Sequence, residues 1–102
     1  MAHTYGQRRY DLALADVFAI QDEIAERVVA AIERVIDANP SRRVAVVCHG
    51  GVINAYLAHI LGIDRALFFE PAYTSISRVL ASSGGHRQVK SINEHAHVRS
   101  MI

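Results

Sequence analysis

The sequence predicts an α/β fold, a partial three-layer sandwich with a mixed, mostly parallel sheet, flanking helices and a C-terminal strand pair. A continuous β-branched, apolar run over residues 44–48 is typical of a strand that is buried on both faces. Apolar residues recur at helical spacing before and after that run. Residues 74–82 and 88–93 have the composition of two strands and are separated by glycines. These three observations favour the α/β class.

Length and composition indicate one small globular domain. The 102 residues are enough for a single core, so we expect one domain over residues 1–102, with an N-terminal strand and helix segment over 1–38 and a second part over 39–98. Eleven basic and ten acidic residues give a net charge of +1, so we expect neither a nucleic-acid nor a membrane partner. No apolar stretch is long enough to span a bilayer and no cleavable leader is recognisable, which predicts a cytoplasmic protein.

The N-terminal part predicts one long helix. Residues 1–10 show too little periodicity for more than a short edge strand. Over residues 12–38, apolar side chains recur every three or four positions and charged side chains occupy the opposite face. Asn39-Pro40 ends this helix, because proline disfavours helical backbone at the residue before it.

The central part predicts a strand, a glycine turn and a helix. The strand over residues 44–48 leads into His49, and a second helix follows over 52–61 with Gly62 in the position of a C-terminal glycine cap. Ligands of open α/β sheets bind beyond the carboxyl ends of strands, where helix N-termini offer unpaired N–H groups. A histidine at that point is suited to hold an anion such as a phosphoryl group. A histidine that merely caps the helix or packs fits the same residues.

The C-terminal part predicts an aromatic connector and a hairpin. The connector over residues 63–71 carries Leu67, Phe68 and Phe69, which we expect to hold it against the core. The glycines of the 83–86 segment can supply the positive φ angles of a hairpin turn between the last two strands.

The cysteine and the tail histidines suggest no cofactor. Cys48 is a single thiol in an apolar run, where a raised pKa makes an inert residue the expected interpretation. His95 and His97 are two residues apart, a spacing that places both on one face of a strand. Zinc is one interpretation of this pair. Because the sequence has no second pair of clustered ligands, we expect no metal ion and no other cofactor.

Several phosphate-handling motifs are absent from the sequence. Gly50-Gly51 is not followed by Lys-Ser or Lys-Thr, and no G-x-G-x-x-G occurs. A cysteine phosphatase would need an arginine six residues after Cys48, but Asn54 stands there. No G-x-S-x-G elbow of a serine hydrolase is present.

Residues 44–53, Val-Ala-Val-Val-Cys-His-Gly-Gly-Val-Ile, resemble the second histidine motif of the histidine phosphatase superfamily, which has a phosphoglycerate-mutase-like fold. The helix end, the aromatic connector, the glycine hairpin and the 93–98 segment are similar to that family's C-terminal half, so the resemblance covers residues 39–98. It implies that His49 is the second catalytic histidine and contacts phosphate or a phosphomonoester. It also implies that the backbone N–H of Gly50 adds an oxyanion-type donor.

The sequence departs from that family at several places. The family nucleophile is a histidine in an Arg-His-Gly motif, and the sequence contains no such triplet. Asp22 and Glu23 lie near the region of the family's proton donor but without its Gly-Glu context, and the family's further arginine has no counterpart. Tyr73 stands where the family often has asparagine, which affects an expected substrate contact.

Residues 9–36 separately resemble a segment of TolB-like, cyclase-associated proteins. This second resemblance implies a chimera of two half-domains joined near residues 35–39.

Two functions of different classes follow. The first is a histidine-phosphatase-like fragment of the phosphomonoester hydrolase and mutase family, which retains His49 but is inactive alone because the nucleophile is missing. The second is a noncatalytic recombined or truncated module that forms a homo-oligomer, because the 44–48 strand lacks a neighbour and exposed strand edges favour association. Residual phosphate binding is compatible with both.

Overall fold

The computed structural model describes the secondary structure of residues 2–101 and the side chains of residues 20–98. The elements in chain order are helix α1 (Ala2–Ala38), helix α2 (Gly50–Leu61), strand β1 (Ile76–Ala81), strand β2 (Arg87–Glu94) and a 3-10 segment (Ala96–Met101). Within the described residues, β1 and β2 pair in a two-stranded antiparallel sheet. The α/β class is therefore confirmed in its coarse form.

Helix α1 is longer at its N-terminal end than the sequence predicts. Residues 2–10 are helical, so the expected short edge strand is wrong there, and residue 1 lies outside the described residues. A helix satisfies its backbone groups within the segment and needs no partner strand, which favours it where none is available. At the other end, Asn39 closes the helix because its side-chain Nδ2 donates to the Val35 carbonyl at 2.8 Å.

Helix α2 carries the buried core of the described residues. Its buried side chains are those of Asn54, Ala55, Tyr56, Leu57 and Ala58. The helix ends as predicted at Gly62, which has φ 69° and ψ 31° in the left-handed region. There, the N–H of Ile63 donates to the carbonyl of Ala58 at 2.9 Å.

The C-terminal hairpin confirms the predicted strand pair. Val79 lies opposite Val89, and Ala81 lies opposite Arg87 at the end next to the turn. Gly85 has φ 91° and provides the positive φ angle expected of a turn glycine.

The predicted strand over residues 44–48 does not form. The segment belongs to no helix or strand, and no backbone N–H or C=O of residues 42–48 has a backbone hydrogen-bond partner among the described residues. Val47 is 98% exposed, and Val44 and Val46 are each 47% exposed. An apolar segment becomes a buried strand only when neighbouring strands and helices cover it, and β1 and β2 pair with each other instead. The expected three-layer sandwich and mostly parallel sheet are therefore wrong.

Helix α2 lies between α1 and the hairpin and contacts both. One carboxylate links all three elements, because Glu33 Oε2 accepts hydrogen bonds from the Tyr56 hydroxyl at 3.2 Å and from Arg87 Nε at 3.0 Å. Neither described helix combines the length and apolar character that crossing a membrane requires.

Candidate functional site

His49 lies directly before the first turn of α2, with its side chain exposed. Its backbone is extended, with φ −80° and ψ 162°, and its carbonyl accepts hydrogen bonds from the N–H groups of Val52 at 3.1 Å and Ile53 at 3.3 Å. The imidazole caps no N–H group of the helix. The backbone of His49 therefore starts the helix while its ring faces solvent.

Two glycines provide open N–H groups beside that ring. The N–H groups of Gly50 and Gly51 have no acceptor among the described residues. Gly51 is exposed, and a Cβ built on it would meet no atom within 4 Å. Unpaired N–H groups at a helix N-terminus carry partial positive charge and favour anions. His49 and the two glycines thus place up to three unpaired donors on consecutive residues.

The connector after α2 packs against the first turn of that helix. A Cβ built on Gly50 would lie 3.4 Å from both Cγ and Cδ of Pro71, so the glycine backbone is in close contact with the proline ring. Phe68 and Phe69 are half-buried with ring centroids 4.9 Å apart, as expected of residues that hold the connector on the core. Leu67, which was expected to do the same, is 61% exposed.

Asn54 joins the turn to the connector. This residue is 2% exposed, and its Nδ2 donates to the carbonyls of Gly50 at 3.0 Å and Phe69 at 2.9 Å. Its Oδ1 accepts from the N–H groups of Phe68 at 2.8 Å and Phe69 at 3.0 Å. From the sequence, Asn54 stands out only as the position at which a cysteine phosphatase would carry an arginine. One sequence feature could have indicated its buried contacts: it is a lone amide side chain one helical turn after the glycines, on the apolar side of a helix.

Cys48 precedes the site without contributing a reactive group to it. The thiol is half-buried, and this burial raises its pKa above the ordinary value. A raised pKa reduces the thiolate fraction at neutral pH, which is the form that attacks electrophiles.

The two tail histidines, His95 and His97, line a separate surface cleft. His95 Nδ1 is 2.8 Å from the Asn93 carbonyl, and His97 Nε2 is 2.9 Å from the Thr74 carbonyl, so each ring donates a hydrogen bond to backbone. Both rings line an open cleft of about 540 Å³, whose lining does not include His49. No group of three histidine, cysteine or acidic side chains suited to a metal ion occurs among the described residues.

The two acidic residues near the expected proton-donor region lie on an exposed part of α1. Glu23 pairs with Arg27 on the same helix at 2.8 Å, and the side chains of Asp22 and Glu23 are exposed. No described hydrogen bond or ion pair connects either residue to His49.

Comparison with known families gives one match. The family model described as Histidine phosphatase superfamily (branch 1) matches residues 10–95. No curated protein and no solved structure matches the chain significantly. The family match begins within α1 and continues without a break through the hairpin, so it extends beyond the 39–98 resemblance. It gives no support to a separate origin for residues 9–36.

Proposed function

Because the chain belongs to the histidine phosphatase superfamily, branch 1, we propose that it binds phosphate or a phosphomonoester at His49 and does not turn it over alone. The observation that carries this proposal is the exposed imidazole of His49 beside the unpaired N–H groups of Gly50 and Gly51.

The chemistry of this arrangement suits a phosphoryl group. A phosphate has several acceptor oxygens, and the imidazole and the two N–H groups are donors fixed on neighbouring residues. In its charged form, the imidazole also neutralises part of the phosphate charge. The same donors stabilise a phosphoryl group on which charge develops, which is the role of the second histidine in this proposal.

Catalysis requires a group that these residues do not supply. The 102 residues contain no Arg-His-Gly triplet, so the nucleophile that would form a phosphohistidine is missing from them. Members of a catalytic unit act together, and losing one of them removes most of the rate. We therefore expect binding without turnover.

A phosphate titration tests this proposal. Inorganic phosphate is added to the full chain, and the imidazole signals of His49 are followed by NMR, with His49→Ala as the test variant. His86→Ala is the matched control, because His86 is an exposed histidine in the hairpin turn. We expect saturable shifts in the wild type and in His86→Ala, and their loss in His49→Ala. Equal binding by His49→Ala would show that the site is elsewhere.

An activity assay tests the second half of the proposal. We expect no release of phosphate from an aryl phosphate by the purified chain. Turnover that disappears in His49→Ala would show that the chain is a competent enzyme.

A second candidate function is supported by the 44–48 segment. This segment is apolar and forms no element, its backbone groups have no backbone hydrogen-bond partner among the described residues, and Val47 is almost fully exposed. Exposed strand edges of this kind pair with another chain. The alternative is therefore a noncatalytic module that forms a homo-oligomer through residues 44–48.

A further inference from the structure

We propose that Asn54 is a positioning residue for the phosphate site. Its buried amide fixes the orientation of Gly50 and Gly51, in the first turn of α2, whose N–H groups are the donors next to His49. This inference rests on the proposed function, since it assigns a role to Asn54 at that same site.

The amide of Asn54 is fully used. A side-chain amide has two N–H donors and an oxygen with two lone pairs. The two donors go to the carbonyls of Gly50 and Phe69, and the oxygen accepts from the N–H groups of Phe68 and Phe69. Because all four bonds lie inside the protein, rotating the amide would break several of them at once.

The bond to Gly50 reinforces the direction in which the neighbouring donor points. The Gly50 carbonyl and the Gly51 N–H belong to the same planar, trans peptide unit, in which C=O and N–H point in opposite directions. Asn54, one turn further along α2, holds the carbonyl pointing toward the C-terminal end of the helix. The Gly51 N–H therefore points toward the N-terminal end of α2, which His49 precedes.

The glycines need such a contact from outside the turn. Glycine has more backbone freedom than other residues, so Gly50 and Gly51 hold the first turn of α2 less firmly than other residues would. Asn54 connects Gly50 to the connector through Phe68 and Phe69, and Pro71 packs against Gly50. The first turn of α2 is thus held by its contacts with Asn54 and with the connector.

Replacing Asn54 with aspartate separates positioning from packing. Asn54→Asp keeps the size of the side chain and its acceptor bonds to the Phe68 and Phe69 N–H groups. It replaces the two donors with an oxygen that faces the carbonyls of Gly50 and Phe69, which repels them. The connector contact is then retained in part, while the side-chain bond to the Gly50 peptide is lost.

The experiment compares Asn54→Asp with Asn39→Asp in the full chain. Asn39 is the matched control because its Nδ2 makes the same type of bond to the carbonyl four residues earlier, at the end of α1. We expect Asn54→Asp to keep its helical circular dichroism and to bind inorganic phosphate about tenfold more weakly, whereas Asn39→Asp stays within about twofold of the wild type.

A measurement on the unsubstituted protein decides the question if Asn54→Asp does not fold. Hydrogen exchange at the Phe68 and Phe69 amides, which donate to Asn54, is measured with and without phosphate. The control is the Ile63 amide, which donates to Ala58 at the far end of α2. We expect phosphate to slow exchange at Phe68 and Phe69 more than at Ile63.

The outcomes distinguish this inference from the proposed function. A wild type that binds no phosphate at His49 overturns both. A wild type that binds phosphate, together with a folded Asn54→Asp of equal affinity, overturns the role of Asn54 alone. So does an equal change in exchange at all three amides.

Discussion

At Tyr56, a buried phenol is held between two charged side chains. Its hydroxyl donates to Glu33, and the same carboxylate accepts from Arg87. Burial is the largest cause that raises the pKa of Tyr56 above its ordinary value, and the negative charge of Glu33 adds to it. The neutral phenol is therefore the form that the folded protein prefers.

This preference predicts a loss of stability at alkaline pH. Because the pKa of Tyr56 is raised in the folded state, the unfolded chain ionises first as the pH rises. The stabilisation is complete below the unfolded pKa of about 10 and is lost as the pH rises through the folded pKa. We expect the free energy of unfolding of the wild type to fall more steeply than that of Tyr56→Phe above about pH 10.

Urea unfolding at a series of alkaline pH values measures this difference. Tyr73→Phe is the control, because Tyr73 is 87% exposed and its substitution should leave the slope as in the wild type. Parallel pH profiles for the wild type and Tyr56→Phe would contradict the expected coupling.

Among the elements, α2 has one glycine in its first turn and one as its C-terminal cap, and their replacement by alanine should have opposite effects. Gly62 is in the left-handed region at φ 69°, and a Cβ there would meet no atom within 4 Å. Gly62→Ala should therefore lower the free energy of unfolding by about 1 kcal/mol through backbone strain alone. Gly51 is a helical residue with open space around it, so Gly51→Ala should raise the free energy of unfolding by up to about 1 kcal/mol.

Urea unfolding of the two variants beside the wild type checks this pair. Far-ultraviolet circular dichroism confirms that each variant retains its helices. A change of the same sign in both variants would show that the backbone conformation at one of these glycines differs from the one described.

The elements set by local pattern are predictable from the sequence. Helix α2, its Gly62 cap and the hairpin with Gly85 depend on residues close together in the chain, so periodicity and turn residues suffice. The 44–48 segment depends on a partner strand. Its apolar run indicates an extended backbone but cannot indicate what pairs with it.

The candidate site was predictable to a similar extent. His49 and Gly50 stand out because a histidine and glycines interrupt an apolar pattern. The role of Asn54 was not predictable, because it depends on the connector returning to within hydrogen-bond distance of α2, fourteen and fifteen residues further along the chain. A polar residue on a helix has the same appearance in the sequence whether or not such a segment meets it.

At the scale of the whole molecule, the chain is more extended than a globular domain of its length. Its radius of gyration is 17.5 Å, against about 13 Å for a compact protein of this size. Val44, Val46 and Val47 expose apolar surface on the unpaired 44–48 segment. This exposed apolar surface favours association between copies, as the second candidate function requires.

We therefore expect Val47→Lys to reduce self-association. A charge on the most exposed valine of the segment opposes strand pairing and disfavours burial. Leu67→Lys is the matched control, since Leu67 is also an exposed large apolar residue but lies in the connector. Sedimentation at high protein concentration should show the wild type and Leu67→Lys as oligomers and Val47→Lys at lower mass.

Two results would count against association through this segment. One is a monomeric wild type at the highest concentration reached. The other is an equal loss of mass in Val47→Lys and Leu67→Lys, which would indicate a general effect of exposed apolar surface.

Two polar contacts, one between α2 and the connector and one between α1 and β2, also differ in the length of chain that they close. Asn54 bonds to Phe69 across fifteen residues, whereas Arg87 bonds to Glu33 across fifty-four. Closing the longer loop costs about 1 kcal/mol more in chain entropy. During refolding, we expect α2 and the connector to come together first, with the pairing of Arg87 in β2 with Glu33 in α1 as a later step.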